Sequence, residues 1–151
     1  MKIVVQKVLK SSVEVDNKIV GKIDKGLTLL VGFNNEDTKD VLDKMIDKVI
    51  NLRIFEDENN IMNKSVLDVN GSILSISQFT LYADTKKGRR PSYINALNGS
   101  DAIKLYNEFN NRLSKFIHVE QGIFGEDMKL NILNDGPTTI ILESSDYIVK
   151  K

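Results

Sequence analysis

The residues of this chain whose spacing suggests chemistry carry amides and hydroxyls rather than ionisable groups. Between Gly71 and Leu81 the alternation of side chains predicts a strand, with Gln78 and Thr80 toward the end of one face and Ser77 and Phe79 on the other. A buried amide and a buried hydroxyl both need hydrogen-bond partners. Either the neighbouring backbone or a bound ligand can provide them, and the pattern alone leaves both open.

Composition removes most other catalytic chemistries. The 151 residues include no cysteine and one histidine, His118, which excludes thiolate nucleophiles, thiolate metal sites and multi-histidine metal sites. His118 follows an apolar pair where a helix gives way to a strand, which favours a surface or structural role over that of a base. The acidic residues are spread along the chain and single out no pair. An enzyme built this way suits a substrate with a modest barrier, such as an activated ester.

The Gly136-Pro137 pair predicts a tight turn near the end of the chain. An X-Pro bond is cis in about 5% of folded cases, and the sequence does not show which isomer is present. A cis turn can point two carbonyl oxygens the same way, toward a ligand. The alternative is a plain hairpin between the last two strands.

One dense basic cluster follows the strand that carries Thr80. It consists of Lys86, Lys87, Arg89 and Arg90. It is either a solvated loop or a contact for nucleic-acid phosphates. Because 21 basic and 21 acidic residues give a net charge of zero, any such contact is local.

Hydrophobic periodicity predicts an α+β fold in one domain, residues 1–151, with a largely antiparallel, barrel-like sheet and two main helices. The first helix carries an apolar stripe from Val41 to Ile50, and the second follows an N-cap at Ser100 and extends its apolar side to Phe116. A short strand is expected over 52–55. No signal peptide or membrane-spanning stretch is evident, so a cytoplasmic protein without membrane contact is expected.

Two segments together make the chain similar to the D-aminoacyl-tRNA deacylases, also called D-tyrosyl-tRNA deacylases. They are Ser77–Leu81, which reads SQFTL, and Asn134–Thr139, which reads NDGPTT. The resemblance covers almost the whole chain. Further matching stretches are Gln6–Val8, Arg53–Phe55, Met62-Asn63, Gly88–Ser92 and Phe124–Met128.

The resemblance implies a cytoplasmic homodimer that needs no metal or organic cofactor. Such an enzyme hydrolyses the ester between a D-amino acid and the 3′ end of tRNA, and also clears glycine mischarged on tRNA. The pocket forms at the dimer interface. Ser77, Gln78, Phe79 and Thr80 would line it, and the partner's Gly-Pro turn, with a cis bond, would reject L-amino acids.

The catalytic role within Ser77–Thr80 has two versions. Thr80 could be a nucleophile, although no base suited to activate it is evident. Alternatively, the N–H groups around Phe79 and Thr80 hold the carbonyl oxygen while the ribose 2′-hydroxyl assists water, and we favour this version because it needs no protein base. Gln78 and Ser77 would support the loop.

By the same resemblance, Phe124 and Met128 would form an apolar wall for the terminal adenosine, or else belong to the core. The four basic residues at 86, 87, 89 and 90 would contact tRNA phosphates. The chain departs from the family pattern at Lys7, usually Arg, at Thr138, usually Val, and at Tyr93, commonly Phe. Lys7 keeps the charge but loses the bidentate geometry, which leaves its role at the Gly-Pro turn open.

Two other functions are compatible with the sequence. One is a related deacylase with relaxed chirality, which would also remove small L-amino acids if the Gly-Pro bond were trans. The other is a non-catalytic RNA-binding or scaffold protein that uses the basic loop, against which the zero net charge speaks.

Overall fold

A computed structural model describes residues 1–148. The strands are β1 Lys2–Val15, β2 Lys18–Ile23, β3 Gly26–Gly32, β4 Phe55–Glu56, β5 Met62–Lys64, β6 Ser72–Ser77, β7 Val119–Gln121 and β8 Lys129–Glu143. The helices are α1 Leu42–Asn51 and α2 Gly99–Leu113, with 3-10 turns at Lys39–Val41, Phe79–Tyr82 and Ser144–Asp146. The strand expected over 52–55 is displaced, since β4 begins only at Phe55.

The main sheet runs in the order β2-β1-β3-β6-β7, and β8 also pairs with β1. β1 is antiparallel to β2, β3 and β8, whereas β3–β6 and β6–β7 are parallel pairs. The sheet curls into a nearly closed barrel as β2 approaches β6 and β7. The predicted α+β fold with a largely antiparallel, barrel-like sheet and two main helices is confirmed.

The long strand β1 organises the sheet. Its first half lies between β3 and β8, and its second half between β2 and β8. The turn from β1 to β2 passes through Asp16 and Asn17, both with positive φ, as a tight hairpin requires. Because β1 pairs with both β3 and β8, and β3 pairs with β6, it fixes β8 relative to β6.

Both helices cover one face of the sheet. The buried stripe of α1 is confirmed from Leu42 to Ile50, and the half-buried Val41 lies just before it, at the end of a 3-10 turn. The expected cap at Ser100 is wrong: the side-chain oxygen of Asn98 accepts from the Asp101 N–H at 3.0 Å and caps α2. Phe116 lies beyond the end of α2 and is exposed, so it is not part of the helix's apolar side.

The opposite face of the sheet has no helix over it among residues 1–148. Val4, Leu30 and Ile141 are cross-strand neighbours on this face; Val4 and Leu30 are half-buried, and Ile141 is 62% exposed. No described helix is long and apolar enough to cross a bilayer. The turn that follows β6 borders this open side of the sheet, next to Gly32.

Candidate active site

The strand predicted to reach Leu81 ends at Ser77. The N–H of Gln78 donates the last ladder bond to the Val31 carbonyl at 2.7 Å, and the chain then enters the Phe79–Tyr82 turn. The expectation that Gln78 and Thr80 share a strand face is therefore wrong. The physical reason is that β3 ends at Gly32, so no ladder partner remains beyond Gln78.

This turn leaves backbone donors free. The first N–H groups of a helical turn have no partner within it. No hydrogen bond among residues 1–148 uses the N–H of Phe79 or Thr80. The side-chain amide of Gln78 donates to the Thr80 hydroxyl, which ties the two polar side chains together. Two adjacent free N–H groups can hold a developing oxyanion.

The basic loop lies beside this turn. Antiparallel backbone bonds between Asp84 and Ser92, at 2.7 and 2.8 Å, close the loop. The ring of Phe79, 55% exposed, packs edge-on against Tyr93 with centroids 4.9 Å apart. All four basic side chains of the cluster are exposed, and none forms an ion pair within the described chain. The loop that carries these four unpaired positive charges therefore lies next to Phe79 through Tyr93.

The Gly-Pro segment is not a hairpin, contrary to that alternative. β8 pairs with β1 on both sides of it, with Asn134 opposite Val8 and Thr139 opposite Gln6. Between these pairs, residues 135–138 leave the ladder and form a four-residue bulge opposite Lys7. The strand continues on both sides of the bulge. The Gly136-Pro137 peptide bond is cis.

Asn134 fixes the base of the bulge, a role that the sequence did not single out. Its amide nitrogen donates to the carbonyls of Lys7 and Thr138, both at 3.0 Å. Its amide oxygen accepts from Gln6 at 3.3 Å and from the Thr139 hydroxyl at 3.2 Å. An asparagine two residues before a Gly-Pro pair is a signal that could have marked this residue, because Asn often bonds to nearby backbone in turns.

Two of the three departures from the family pattern, Lys7 and Thr138, meet at this bulge. Lys7 is 5% exposed, and its ammonium lies 3.9 Å from the Asp135 carboxylate, so it contacts the turn through one ion pair. Gly136 has φ +113°, and a Cβ added there would lie 2.6 Å from the Thr138 hydroxyl. Position 136 thus accepts only glycine without strain.

The two segments lie at different levels of the sheet. Ser77 aligns through Val31 with Ile3, whereas the bulge opens opposite Lys7. Four residues of β1 separate these levels by roughly 13 Å along the strand. No hydrogen bond, ion pair or ring contact within residues 1–148 joins the bulge to the Ser77–Thr80 segment.

Phe124 and Met128 are half-buried and pack against different parts of the core. The Phe124 ring lies 5.9 Å from that of Tyr106 on the helix side of the sheet. Met128 packs inside the barrel. The core covers only part of each side chain. Their role toward an adenosine stays a prediction.

The titratable groups beside the turn include Lys2 and Tyr82, but not the histidine. His118 is exposed, pairs with Glu120 at 3.1 Å and lies beside the start of β6, at the far end from Gln78. Burial raises the pKa of Tyr82, so its hydroxyl stays protonated at neutral pH. Within residues 1–148, no group of three or more His, Cys, Asp or Glu could hold a metal ion.

Two cavities lie at the other end of the barrel, near the β1–β2 hairpin. One, of about 220 Å³, has an acidic lining that includes Glu14 and Asp127, and the other, of about 490 Å³, includes Lys10 and Lys22. Neither contains a residue of Ser77–Thr80. Phe79 is exposed and Thr80 half-buried, so these donors belong to residues at the surface of the single chain.

Comparison with known proteins finds the same similarity along nearly the whole sequence. The profile of a family described as D-Tyr-tRNA(Tyr) deacylase matches residues 4–143. The chain is 54% identical to D-aminoacyl-tRNA deacylases of Clostridium botulinum and Clostridium kluyveri over 145 residues, which is 95% of this chain and 97% of each relative.

Solved structures share the fold. The c-Myc DNA Unwinding Element Binding Protein superimposes with a TM-score of 0.90 at 41% identity, over 95% of this chain and 98% of that one. A probable eukaryotic D-amino acid tRNA deacylase superimposes with a TM-score of 0.80 over 93% and 97% of the two chains. At 17% identity, that likeness concerns the fold alone.

Proposed function

The chain belongs to the D-aminoacyl-tRNA deacylase family, and from this premise we propose how its Ser77–Leu81 and Asn134–Thr139 segments carry out the reaction. The activity is hydrolysis of the ester in D-aminoacyl-tRNA, which releases the free D-amino acid and tRNA. The observation that carries this conclusion is 54% identity over 95% of the chain. A substrate used in translation also favours a cytoplasmic location.

The free N–H groups of Phe79 and Thr80 hold the carbonyl oxygen of the ester. As water adds to the carbonyl carbon, negative charge develops on this oxygen, and two fixed donors stabilise it. The bond from the carbonyl carbon to the ribose 3′ oxygen then breaks. The proton lost by water reaches that oxygen through the neighbouring 2′-hydroxyl of the substrate. No protein base is needed.

Thr80 supports this geometry rather than attacking the ester. Its hydroxyl accepts a hydrogen bond from the Gln78 amide, which is not a base. No histidine, carboxylate or lysine within residues 1–148 forms a hydrogen bond with that hydroxyl. A hydroxyl without a base is a weak nucleophile. The arrangement therefore favours catalysis by the backbone.

Gly136 and Pro137 form the chiral screen, but in the pocket of a second subunit. The bulge is exposed and makes no contact with Ser77–Thr80 of its own chain. Rigid carbonyls at its tip would clash with an L side chain and admit a D side chain. Glycine has no side chain to reject, so glycyl-tRNA is also hydrolysed.

A two-fold dimer would bring these segments together. In a two-fold interface each patch of one subunit meets the exchanged patch of the other. An axis crossing the strands at the level of Val5 would exchange the level of Ile3, where Ser77 lies, with that of Lys7, where the bulge opens. The open sheet face around Ile141 would be covered in the same contact. This arrangement supports a homodimer.

The tRNA end would approach along the basic loop. The side chains of Lys86, Lys87, Arg89 and Arg90 are free to meet phosphates, because no carboxylate of the described chain pairs with them. The exposed parts of Phe124 and Met128 would then face the terminal adenosine. The net charge of zero keeps this attraction local.

Parallel hydrolysis assays with D-Tyr-tRNA and L-Tyr-tRNA, both with chelator present, test the proposal. Loss of the D-ester alone supports the whole account. Loss of both esters would retain the hydrolase and contradict the chiral screen at Gly136-Pro137. A folded protein that hydrolyses neither but binds tRNA would support the RNA-binding alternative.

A further inference from the structure

A row of three residues crosses the strands directly beneath the catalytic turn. Lys2 on β1 lies opposite Gly32 on β3 and opposite Glu143 on β8. Residues directly opposite each other in an antiparallel ladder point to the same face of the sheet. The row therefore forms a small platform on the side where the Phe79–Tyr82 turn lies.

Because Gly32 has no side chain, the turn can pack directly against β3 at this position. A Cβ added at Gly32 would lie 2.9 Å from the Gln78 carbonyl oxygen and 3.2 Å from the Leu81 Cβ. The nearer atom belongs to the backbone, so it cannot move without the turn moving. Any larger residue at position 32 would lift Gln78 and the N–H groups that follow it.

Lys2 holds the other end of the same turn. Its ammonium donates to the Leu81 carbonyl at 3.3 Å and lies 5.1 Å from the centre of the Tyr82 ring. Glu143 holds the ammonium in place from the neighbouring strand, also at 3.3 Å. A hydrogen bond, a cation–π contact and an ion pair thus converge on one side chain.

We propose that Gly32 and Lys2 are positioning residues for deacylation, which act by setting where the Phe79 and Thr80 N–H groups lie. The inference rests on the proposed backbone mechanism. Gly32 sets how closely the turn approaches β3, and Lys2 prevents its far end from lifting. Misplacement of a reacting group by about 1 Å can cost around 100-fold in rate, so sub-ångström control of the donors matters.

Single-turnover and steady-state hydrolysis of D-Tyr-tRNA by Gly32→Ala, Lys2→Met and Lys2→Arg tests the inference. Gly32→Ala should lower kcat by about 10- to 100-fold, and Lys2→Met by about fivefold, with KM nearly unchanged. Lys2→Arg, which keeps the charge, should recover most of the loss. Gly99→Ala is the matched glycine control, since a Cβ there meets nothing within 4 Å.

A merely structural role would lower the thermal midpoint without separating kcat from KM, so melting curves accompany the kinetics. A folded Gly32→Ala protein with wild-type kcat, or a Lys2→Met protein with wild-type kcat, overturns the inference. If Gly32→Ala does not fold, the kinetics of Lys2→Met and Lys2→Arg test the inference without it. A wild-type protein that fails to hydrolyse D-Tyr-tRNA would instead refute the proposed function.

Discussion

The Phe79–Tyr82 turn and the Gly136-Pro137 bulge are held in different ways. The turn is docked on β3 through the Val31 carbonyl and Gly32, and on β1 through Lys2. The bulge is held by side chains: Asn134 bonds to nearby backbone at its base, Lys7 pairs with Asp135, and the Thr139 hydroxyl donates to the Pro137 carbonyl at 3.1 Å, while its tip is exposed.

This difference separates two tasks. A turn that β3 and β1 both support can keep backbone donors fixed, as stabilisation of a developing charge requires. A bulge whose tip is exposed and makes no contact with Ser77–Thr80 of its own chain is suited to enter a neighbouring subunit. Changes in the turn should therefore lower the rate, and changes in the bulge should alter the preference between enantiomers.

Removing one backbone donor should have the largest effect. Phe79→Pro eliminates one N–H at the first position of the turn, where proline is sterically tolerated. We expect kcat for D-Tyr-tRNA to fall by about 10²- to 10³-fold, as for loss of an oxyanion-hole donor. Steady-state kinetics would measure the loss.

Phe79→Leu is the matched control, because it removes the ring and its contact with Tyr93 but keeps the N–H. It should lose far less activity than Phe79→Pro. Equal losses in the two variants would assign the role to the aromatic ring and contradict the backbone mechanism.

A methyl group at the tip of the bulge should affect selectivity next. In Gly136→Ala, the positive φ and the contact with Thr138 force the tip to move. We expect the ratio of D- to L-ester hydrolysis to fall by about tenfold or more, which corresponds to roughly 1.4 kcal/mol of discrimination.

Competition between D-Tyr-tRNA and L-Tyr-tRNA would measure this ratio. Sedimentation of the variant at the assay concentration separates loss of the dimer from movement of the screen. Unchanged selectivity in an intact dimer would exclude Gly136 from the screen.

Neutralising part of the basic loop should change binding and its salt dependence. For Arg89→Ala with Arg90→Ala, we expect KM to rise severalfold and the slope of log affinity against log salt to fall by about 1.5, as two phosphate contacts predict. Titration of tRNA binding at several salt concentrations would measure both.

Lys44→Ala provides the charge control, since Lys44 is exposed on α1, on the helix-covered side. An identical salt slope for the loop variant and wild type would argue against phosphate contacts by the loop.

Loss of the Thr80 hydroxyl should have the smallest effect. Thr80→Ala keeps the backbone N–H and removes only the bond from the Gln78 amide. We expect kcat to fall by less than about tenfold, which is below the 10²- to 10³-fold cost of an oxyanion donor. A loss of several orders of magnitude, measured in single turnover, would restore Thr80 as the nucleophile.

The sequence by itself determined much of this protein. Alternating residues predicted the sheet and a 3.6-residue period predicted the buried stripe of α1, because both patterns depend on local geometry. The SQFTL and NDGPTT segments indicated the family, which the comparisons bear out.

Only the tertiary structure decided how the polar segments are shaped. The alternating pattern continues past Gln78, but β6 ends at Ser77 because its neighbour β3 ends at Gly32. Gly32 lies 46 residues earlier than Gln78 in the sequence, so the local pattern could not show this. The Gly-Pro pair, which reads locally as a hairpin, became a bulge because β1 is long enough to pair with both sides of it. Lys2 and Gly32 carry no local signal at all. Their importance arises from a turn packed on them from a distant part of the chain, and contacts of that kind depend on topology rather than on local pattern.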